Sequence, residues 1–323
     1  MKVSIVIPCY NEENIGKCID SVLRCEYEEA EIIVVDDGST DRTPEICKPY
    51  VNKSSIKYLR RKERGGPAKA LNDGAKAASG SIIAVLNADS LAPNDWIRKA
   101  VEHFLSDGNV IAVGGPLKAS TKTHWALCGE KLDQLLLGIG LTLSPLHGTN
   151  MFVRSDILEA LGFYSDNLDV GEDLDLGFRL CGYSKRAGGR IIFDRDLVVF
   201  TDYPVTLWDV AKRHFWWGEG RTRVLLKGKI WEVKAWARVL YLPWIIGLAV
   251  ATFLSLKVWL VAVVFALSLM GAIAAPMLVV ASRLLMESNR QRVKASGFLG
   301  SVVLAYVRLI SGSVGSLWAL LRH

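Results

Sequence analysis

The sequence predicts an α/β domain with a mostly parallel sheet, followed by a C-terminal α-helical transmembrane domain. Three observations carry this expectation. Short apolar runs alternate with stretches of helical periodicity through the first half of the chain. Successive apolar runs end abruptly in polar, acidic segments. Apolar weight concentrates after about Val239, so a chain of 323 residues with mean hydropathy +0.24 reads as a soluble head and a membrane tail.

Residues 3–7 form a first strand that Pro8 stops. Cys9-Tyr10-Asn11-Glu12-Glu13 is a polar loop, and Ile15, Cys18, Ile19, Val22 and Leu23 recur at helical spacing. A second buried strand, 32–35, ends in Asp36-Asp37-Gly38-Ser39-Thr40-Asp41. Thr43-Pro44 starts a helix, and 56–59 is a short third strand. Arg64-Gly65-Gly66-Pro67 turns into an alanine-rich helix over 68–78. The fourth strand, Ile82-Ile83-Ala84-Val85-Leu86, is apolar throughout, as a strand buried on both faces must be, and ends in Asn87-Ala88-Asp89-Ser90. Strand 110–115, an amphipathic helix over about 125–140, a segment from His147 to Arg154 and a helix over about 170–180 complete the head.

Strand ends gathered on one edge of a parallel sheet make a pocket. Here they supply Tyr10 and Glu12, Asp36 and Asp37, and Asp89. A carboxylate at that edge anchors a divalent metal carrying a substrate phosphate; the alternative for Asp89 is an Asp/Ser helix cap. The first turn lacks GxGxxG, which disfavours an ordinary dinucleotide fold. Six scattered cysteines without a CxxC pair exclude a zinc site of the usual spacing and fit a reducing compartment. Net charge is +6, and the lysines and arginines flank the apolar tail, which suits membrane lipids and not nucleic acid.

The segments Val3-Ser4-Ile5-Val6-Ile7-Pro8-Cys9-Tyr10-Asn11-Glu12, Val34-Val35-Asp36-Asp37-Gly38-Ser39-Thr40-Asp41 and Asn87-Ala88-Asp89-Ser90 together resemble the family 2 glycosyltransferases, over about residues 1–223. That resemblance implies a GT-A fold, a nucleotide-sugar donor and inversion at the anomeric centre. It implies that Pro8, Tyr10, Glu12 and Asp37 hold the nucleoside, with Asp36 either beside them or a buried turn carboxylate. It implies an Asp-x-Asp-like motif in Asn87, Ala88 and Asp89, in which Asp89 is the metal ligand for Mg2+ or Mn2+ and Asn87 brings no charge. Lys69 or Arg64 would neutralise phosphate, and Asn150, in a Gly-x-Asn strand, would line the sugar pocket, with His147 as a loop residue close by. Glu172-Asp173 matches the family's base motif: Asp173 is the expected general base and Glu172 its support, the alternative being an acidic first helical turn. Arg213 to Trp217 stands where processive and cellulose-synthase-like members carry Gln-x-x-Arg-Trp. Only Trp217 matches, and it would stack on a sugar while Arg213 supplies a cation.

The tail has three apolar stretches, 239–256, 258–282 and 297–321, each long enough to cross a bilayer. Basic residues on both flanks of the first two make them a hairpin with both ends inside, and the head cytoplasmic. Arg308 lies inside the third stretch and must pair, face inward or snorkel. Helices at about 125–140 and 205–236 are expected at the membrane surface. The whole resembles cellulose-synthase-like and polyprenyl-phosphate mannosyltransferase architectures. It implies a multi-pass cytoplasmic-membrane enzyme that moves a hexose, mannose from GDP-mannose, to a lipid-linked acceptor: polyprenyl phosphate, a polyprenyl-linked glycan or a glycolipid. The rival readings are a processive polysaccharide synthase and a non-catalytic nucleotide-sugar-binding membrane scaffold.

Overall fold

The computed structural model describes residues 1–51, 55–138, 144, 146–228, 233–254, 264, 266–275 and 295–322. It divides into two compact units, Met1–Ser120 with Ser144–Asp202, and Thr121–Leu143 with Tyr203–His323.

In chain order the elements are β1 (Val3–Cys9), α1 (Ile15–Leu23), β2 (Ala30–Asp36), α2 (Thr43–Cys47), β3 (Ile56–Arg60), α3 (Pro67–Ala77), β4 (Ile82–Val85), β5 (Ser90–Leu91), α4 (Trp96–Ser106), β6 (Val110–Gly114) and β7 (Leu117–Ala119). Then come α5 (His124–Gly138), β8 (Met151–Arg154), α6 (Ser155–Ala160), α7 (Glu172–Ala187), β9 (Arg190–Phe193), β10 (Val199–Thr201) and α8 (Leu207–Lys227). The tail contributes α9 (Val233–Leu254), α10 (Ala266–Ala275) and α11 (Ala295–Arg322).

The first unit is built on a seven-stranded sheet of order β3-β2-β1-β4-β8-β6-β9. β1, β2, β3 and β4 pair in parallel, as do β6 and β9, while β8 runs antiparallel to both its neighbours. The period-2 alternation of the central strands supplies both faces. Ile5, Ile7, Ile32, Val34 and Ala84 pack on Ile15 and Ile19 of α1 and on Trp96, Ile97 and Phe104 of α4. Val6, Ile33, Val35, Ile83 and Val85 pack on Ala68 and Leu71 of α3 and on Leu176 and Leu180 of α7.

Two features depart from the sequence reading. Pro8 does not end β1, which continues to Cys9 with Pro8 opposite Val35. The reason is strand parity. Val3 donates its N–H toward the β2 side, so even-numbered residues of β1 face β4; β4 ends at Val85 opposite Val6, and no bond is lost at position 8. Also, Ser90 and Leu91 do not stay loop. They open a small second sheet of order β5-β10-β7 that brings Thr201 beside Ser90.

In the second unit α5 and α8 pack with α11, through Cys128, Leu132, Leu135, Val210, Val302 and Leu304. The head–tail boundary expected at 223 falls inside α8. The compact units divide after Ser120, before Ser144 and after Asp202, and α8 belongs wholly to the second. Among the described residues one helix segment, Gly300–Arg322, is long and apolar enough to cross a membrane; Val239–Val250 and Ala266–Ala275 are shorter apolar helices. Most of the expected stretch 258–282 lies outside the described residues.

Candidate active site

The parallel strands β1, β2 and β4 end on one edge of the sheet. Because β8 is antiparallel, its beginning lies at that edge, with Met151 opposite Val85. The topology therefore brings the loops after Cys9, Asp36 and Leu86 together with residues 147–150.

At the end of β2 the two adjacent carboxylates have different surroundings. Asp36 is fully buried. Its Oδ1 accepts the Ser39 N–H at 2.8 Å, its Oδ2 accepts the Tyr58 hydroxyl at 2.6 Å, and Arg60 Nε lies 3.4 Å away. This is the buried turn carboxylate of the alternative reading, which holds the loop from inside. Asp37 accepts the Gly65 N–H at 2.8 Å on Oδ1 and the Gly66 N–H at 2.7 Å on Oδ2. Arg61 Nε stands 2.9 Å from Oδ1 with its N–H aimed elsewhere, while its Nη1 pairs with Asp73. Gly66 has φ +92°, a conformation that lets its N–H point back at Asp37 and that side chains resist. Asp37 thus ties the Gly65-Gly66 loop to the end of β2. Tyr10 is exposed next to this loop and carries the Arg64 guanidinium 4.4 Å above its ring. Glu12 bonds locally, to the N–H of Asn14, and its own N–H is held by Thr43. Pro8 is half-buried within β1, and Lys69 is exposed on α3.

The loop between β4 and β5 carries Asn87, exposed, Ala88, buried in the core, and Asp89, half-buried. The Thr149 hydroxyl accepts the Asn87 N–H at 2.9 Å. The buried Ser90 hydroxyl lies 3.0 Å from Asp89 Oδ1, 3.1 Å from Thr149 Oγ1 and 2.9 Å from Thr201 Oγ1. Thr201 also donates to Asp89 Oδ1 at 3.5 Å. Two hydroxyls, Ser90 on β5 and Thr201 on β10, therefore contact one carboxylate, and Thr149 holds Ser90 in turn, an arrangement typical of the groups behind a metal ligand. Among the described residues no three His, Cys, Asp or Glu side chains form a metal-holding group of their own. A single carboxylate with an amide two residues away fits Mg2+ or Mn2+ when substrate phosphate oxygens and water fill the remaining positions.

The next residue back, Gly148, donates its N–H to Asp173 Oδ2 at 3.3 Å, and Asp173 Oδ1 accepts the Leu174 N–H at 2.7 Å. Asp173 and Glu172 open α7, where the helix dipole favours ionised carboxylates. Glu172 resists it: burial, and then the neighbouring Asp173 charge, push its carboxyl up, to about 8. Asn72 ties α3 to the segment before α7, accepting the Tyr164 N–H and donating to the Tyr164 carbonyl, both at 2.9 Å.

One expected residue is placed otherwise. Asn150 does not line a pocket: it is fully buried. Its Oδ1 accepts the Trp96 indole N–H at 2.9 Å, and its Nδ2 donates to the Leu197 carbonyl at 2.7 Å and the Pro116 carbonyl at 3.3 Å. A side chain with these partners is a strut between α4, β8 and the β9–β10 turn. Arg213, half-buried, and Trp217, exposed, lie on α8 in the second unit, with Trp217 edge-on to His214 at 4.8 Å.

Sequence reading missed Thr149, Ser90, Thr201, Arg61 and Asn72. Ser90 closes the Asn87-Ala88-Asp89-Ser90 segment and Thr149 is the middle residue of the Gly-x-Asn segment, and that placement was the available signal. Thr201 lies 111 residues beyond Ser90 and carried none.

Comparison with known proteins adds the family. Residues 4–161 match Glycosyl transferase family 2. The poly-beta-1,6-N-acetyl-D-glucosamine synthase of Staphylococcus aureus (strain COL) is 28% identical over 237 residues, covering 70% of this chain and 56% of that protein. The chain thus spans little more than half the length of that relative. Glycosyltransferase AglE of Haloferax volcanii is 29% identical over 258 residues, covering 75% of this chain and 81% of that protein. Among solved structures, mannosyltransferase PcManGT from Pyrobaculum calidifontis, in complex with GDP-Man and Mn2+, superimposes with TM-score 0.62 at 21% identity, over 98% of this chain and 87% of that one. S. aureus TarS 1–349 gives TM-score 0.50 at 20% identity, over 95% and 90%. Both are likenesses of fold.

Proposed function

The chain carries a family 2 glycosyltransferase domain, and from that premise we propose that it is an inverting hexosyltransferase moving mannose from GDP-mannose to a lipid-linked acceptor at the cytoplasmic membrane face. The observation that carries this reading is the 148–149 dipeptide. Its two residues hydrogen-bond Asp173 on one side and the Asn87 backbone on the other, so a candidate base and a candidate metal ligand share one strand edge.

In this reading the Asp37-braced Gly65-Gly66 loop, Tyr10, Glu12 and Pro8 form the nucleoside end of the donor site. Asp36 and Asn150 act from behind as positioning residues. Asp89, with Asn87, would hold Mg2+ or Mn2+ against the donor diphosphate, and the chemistry such an ion would supply there is neutralisation of the charge on the leaving nucleotide. Asp173 takes the proton of the acceptor hydroxyl or phosphate as its oxygen attacks the anomeric carbon from the face opposite the nucleotide. Trp217 stacks on a sugar ring and Arg213 supplies a cation. GDP-mannose and Mn2+ are also what the Pyrobaculum calidifontis mannosyltransferase was solved with. The lipid acceptor rests on the apolar tail, read as a membrane anchor whose first two stretches, 239–256 and 258–282, form a hairpin. A polysaccharide-synthase reading draws on the S. aureus relative, of which this chain matches just over half.

The test is an assay of the purified full chain in detergent, with GDP- and UDP-sugars, Mg2+ or Mn2+, and polyprenyl phosphate or glycolipid acceptors. One mannose transferred per acceptor from GDP-mannose supports the proposal. Chain growth returns the synthase reading, and no turnover with any donor returns the scaffold reading.

A further inference from the structure

The apolar helix α11 has a covered middle. The segment that is long and apolar enough to cross a membrane runs from Gly300 to Arg322, 23 residues, about 35 Å of helix. Its centre falls near Ser311. There it meets α8 at backbone contact. A Cβ on Gly218 would collide with the Gly312 carbonyl, and one on Gly315 would collide with the Phe215 carbonyl. The Ser316 hydroxyl donates to the Gly218 carbonyl at 3.0 Å. Small residues on both helices make this approach possible.

The partner in that contact carries charged side chains at the same level. Beside Gly218, α8 carries Glu219, which is buried and pairs with Arg223 at 2.6 Å, and Arg221, whose Nη1 lies 3.9 Å from where a Gly312 Cβ would stand. A bilayer that held residue 312 at its midplane would hold these charges there too. The first half of α11 is covered by α5: a Cβ on Gly300 would strike Cys128 and His124. Arg308 pairs with Asp133 and reaches the Gly129 carbonyl at 3.5 Å. The charge inside the apolar stretch is therefore satisfied by α5, a helix that also carries Glu130, Lys131 and Gln134.

Among the described residues of α11, the exposed large hydrophobics form one stripe, Ile310, Val314, Trp318 and Leu321. Arg322 stacks over Trp318 at 4.3 Å. On α8 Trp208, Lys212, Trp216 and Trp217 are exposed, with Lys212 5.4 Å from the Trp208 ring. Tryptophan interleaved with cations is the composition of helices that lie at an anionic headgroup layer.

We propose that α11 does not cross the membrane: it lies in the cytoplasmic lipid interface with α5 and α8, its Ile310–Val314–Trp318–Leu321 stripe against anionic lipid. The inference rests on the membrane reading above and replaces the third span expected from sequence.

Two measurements test it on the full chain in sealed vesicles. Epitope tags are placed within 283–294 and after His323, and their protease accessibility is compared. Both tags on the same side is the expected result; tags on opposite sides would overturn the proposal. Separately, Val314→Cys carries an environment-sensitive fluorophore. Quenching by a headgroup-level lipid quencher is expected. Quenching mainly from the bilayer centre restores the span, and quenching by aqueous iodide alone removes the lipid contact. If alkaline carbonate strips the whole chain from the vesicles, the membrane anchor of the functional reading fails as well, which separates that failure from a misplaced α11.

Discussion

The hydroxyl of Thr149 accepts the backbone N–H of Asn87 at 2.9 Å, and the residue before it, Gly148, donates its own N–H to Asp173. One short segment before β8 thus fixes the spacing between the loop that carries Asp89 and the helix that carries Asp173. Had β8 been parallel, this segment would lie at the far edge of the sheet.

Thr149→Val keeps the shape of the side chain and removes the acceptor. It should lower stability by about 1–3 kcal/mol, the range for a hydrogen bond broken at a largely buried site. It should also reduce kcat, since the two halves of the site lose their shared tether. Urea unfolding and steady-state kinetics on the same preparation check both effects.

Asn150→Ala separates a strut from a ligand-contacting residue. Leaving the Trp96 indole N–H without its acceptor should by itself cost roughly 1–3 kcal/mol. The donor KM of the folded protein should stay near wild type. A donor KM raised many-fold with unchanged stability would put Asn150 back in the sugar pocket.

Asp89→Ala should abolish metal-dependent donor binding, measured by calorimetry with Mn2+ and nucleotide sugar. Asn87→Asp should preserve or tighten it, because a second anionic ligand is added to a site that has one. Wild-type binding by the Asp89 variant would remove Asp89 from the ion site.

Glu172 makes a pH prediction. Its folded pKa, near 8, lies above the ordinary 4.5, so the folded state holds an extra proton between those values. The contribution of Glu172 to stability is therefore full below about pH 4.5 and is lost as pH rises through about 8. Glu172→Gln should flatten this decline, so that the variant melts at or above the wild-type temperature at pH 8. Thermal melts from pH 5 to 9 read it directly.

Much of this arrangement was legible in the chain. The apolar runs of β1, β2 and β4 declare buried strands, and the acidic residues after them declare the ligand edge, because both depend on local composition. Pro8 misled, since whether it stops a strand depends on how far the neighbouring strand extends. Asn150 misled for a related reason: a motif gives a residue's position, while its partners Trp96 and Leu197 come from distant segments. Thr201 was invisible because only the pairing of β10 with β5 brings it to Ser90. The apolar run of α11 satisfies every local rule for a span, and only the packing of Gly218 on Gly312 reveals a charged helix along its middle.

Asp173 is the residue on which the proposed chemistry depends most directly. Donor binding by calorimetry and turnover by product release, measured side by side on Asp173→Asn, separate base from scaffold. The expected result is wild-type affinity for nucleotide sugar and Mn2+ with kcat lowered about 10²–10⁴-fold. Turnover near wild type would contradict the account, because the carboxylate tethered to Gly148 would then not be the group that takes the acceptor's proton.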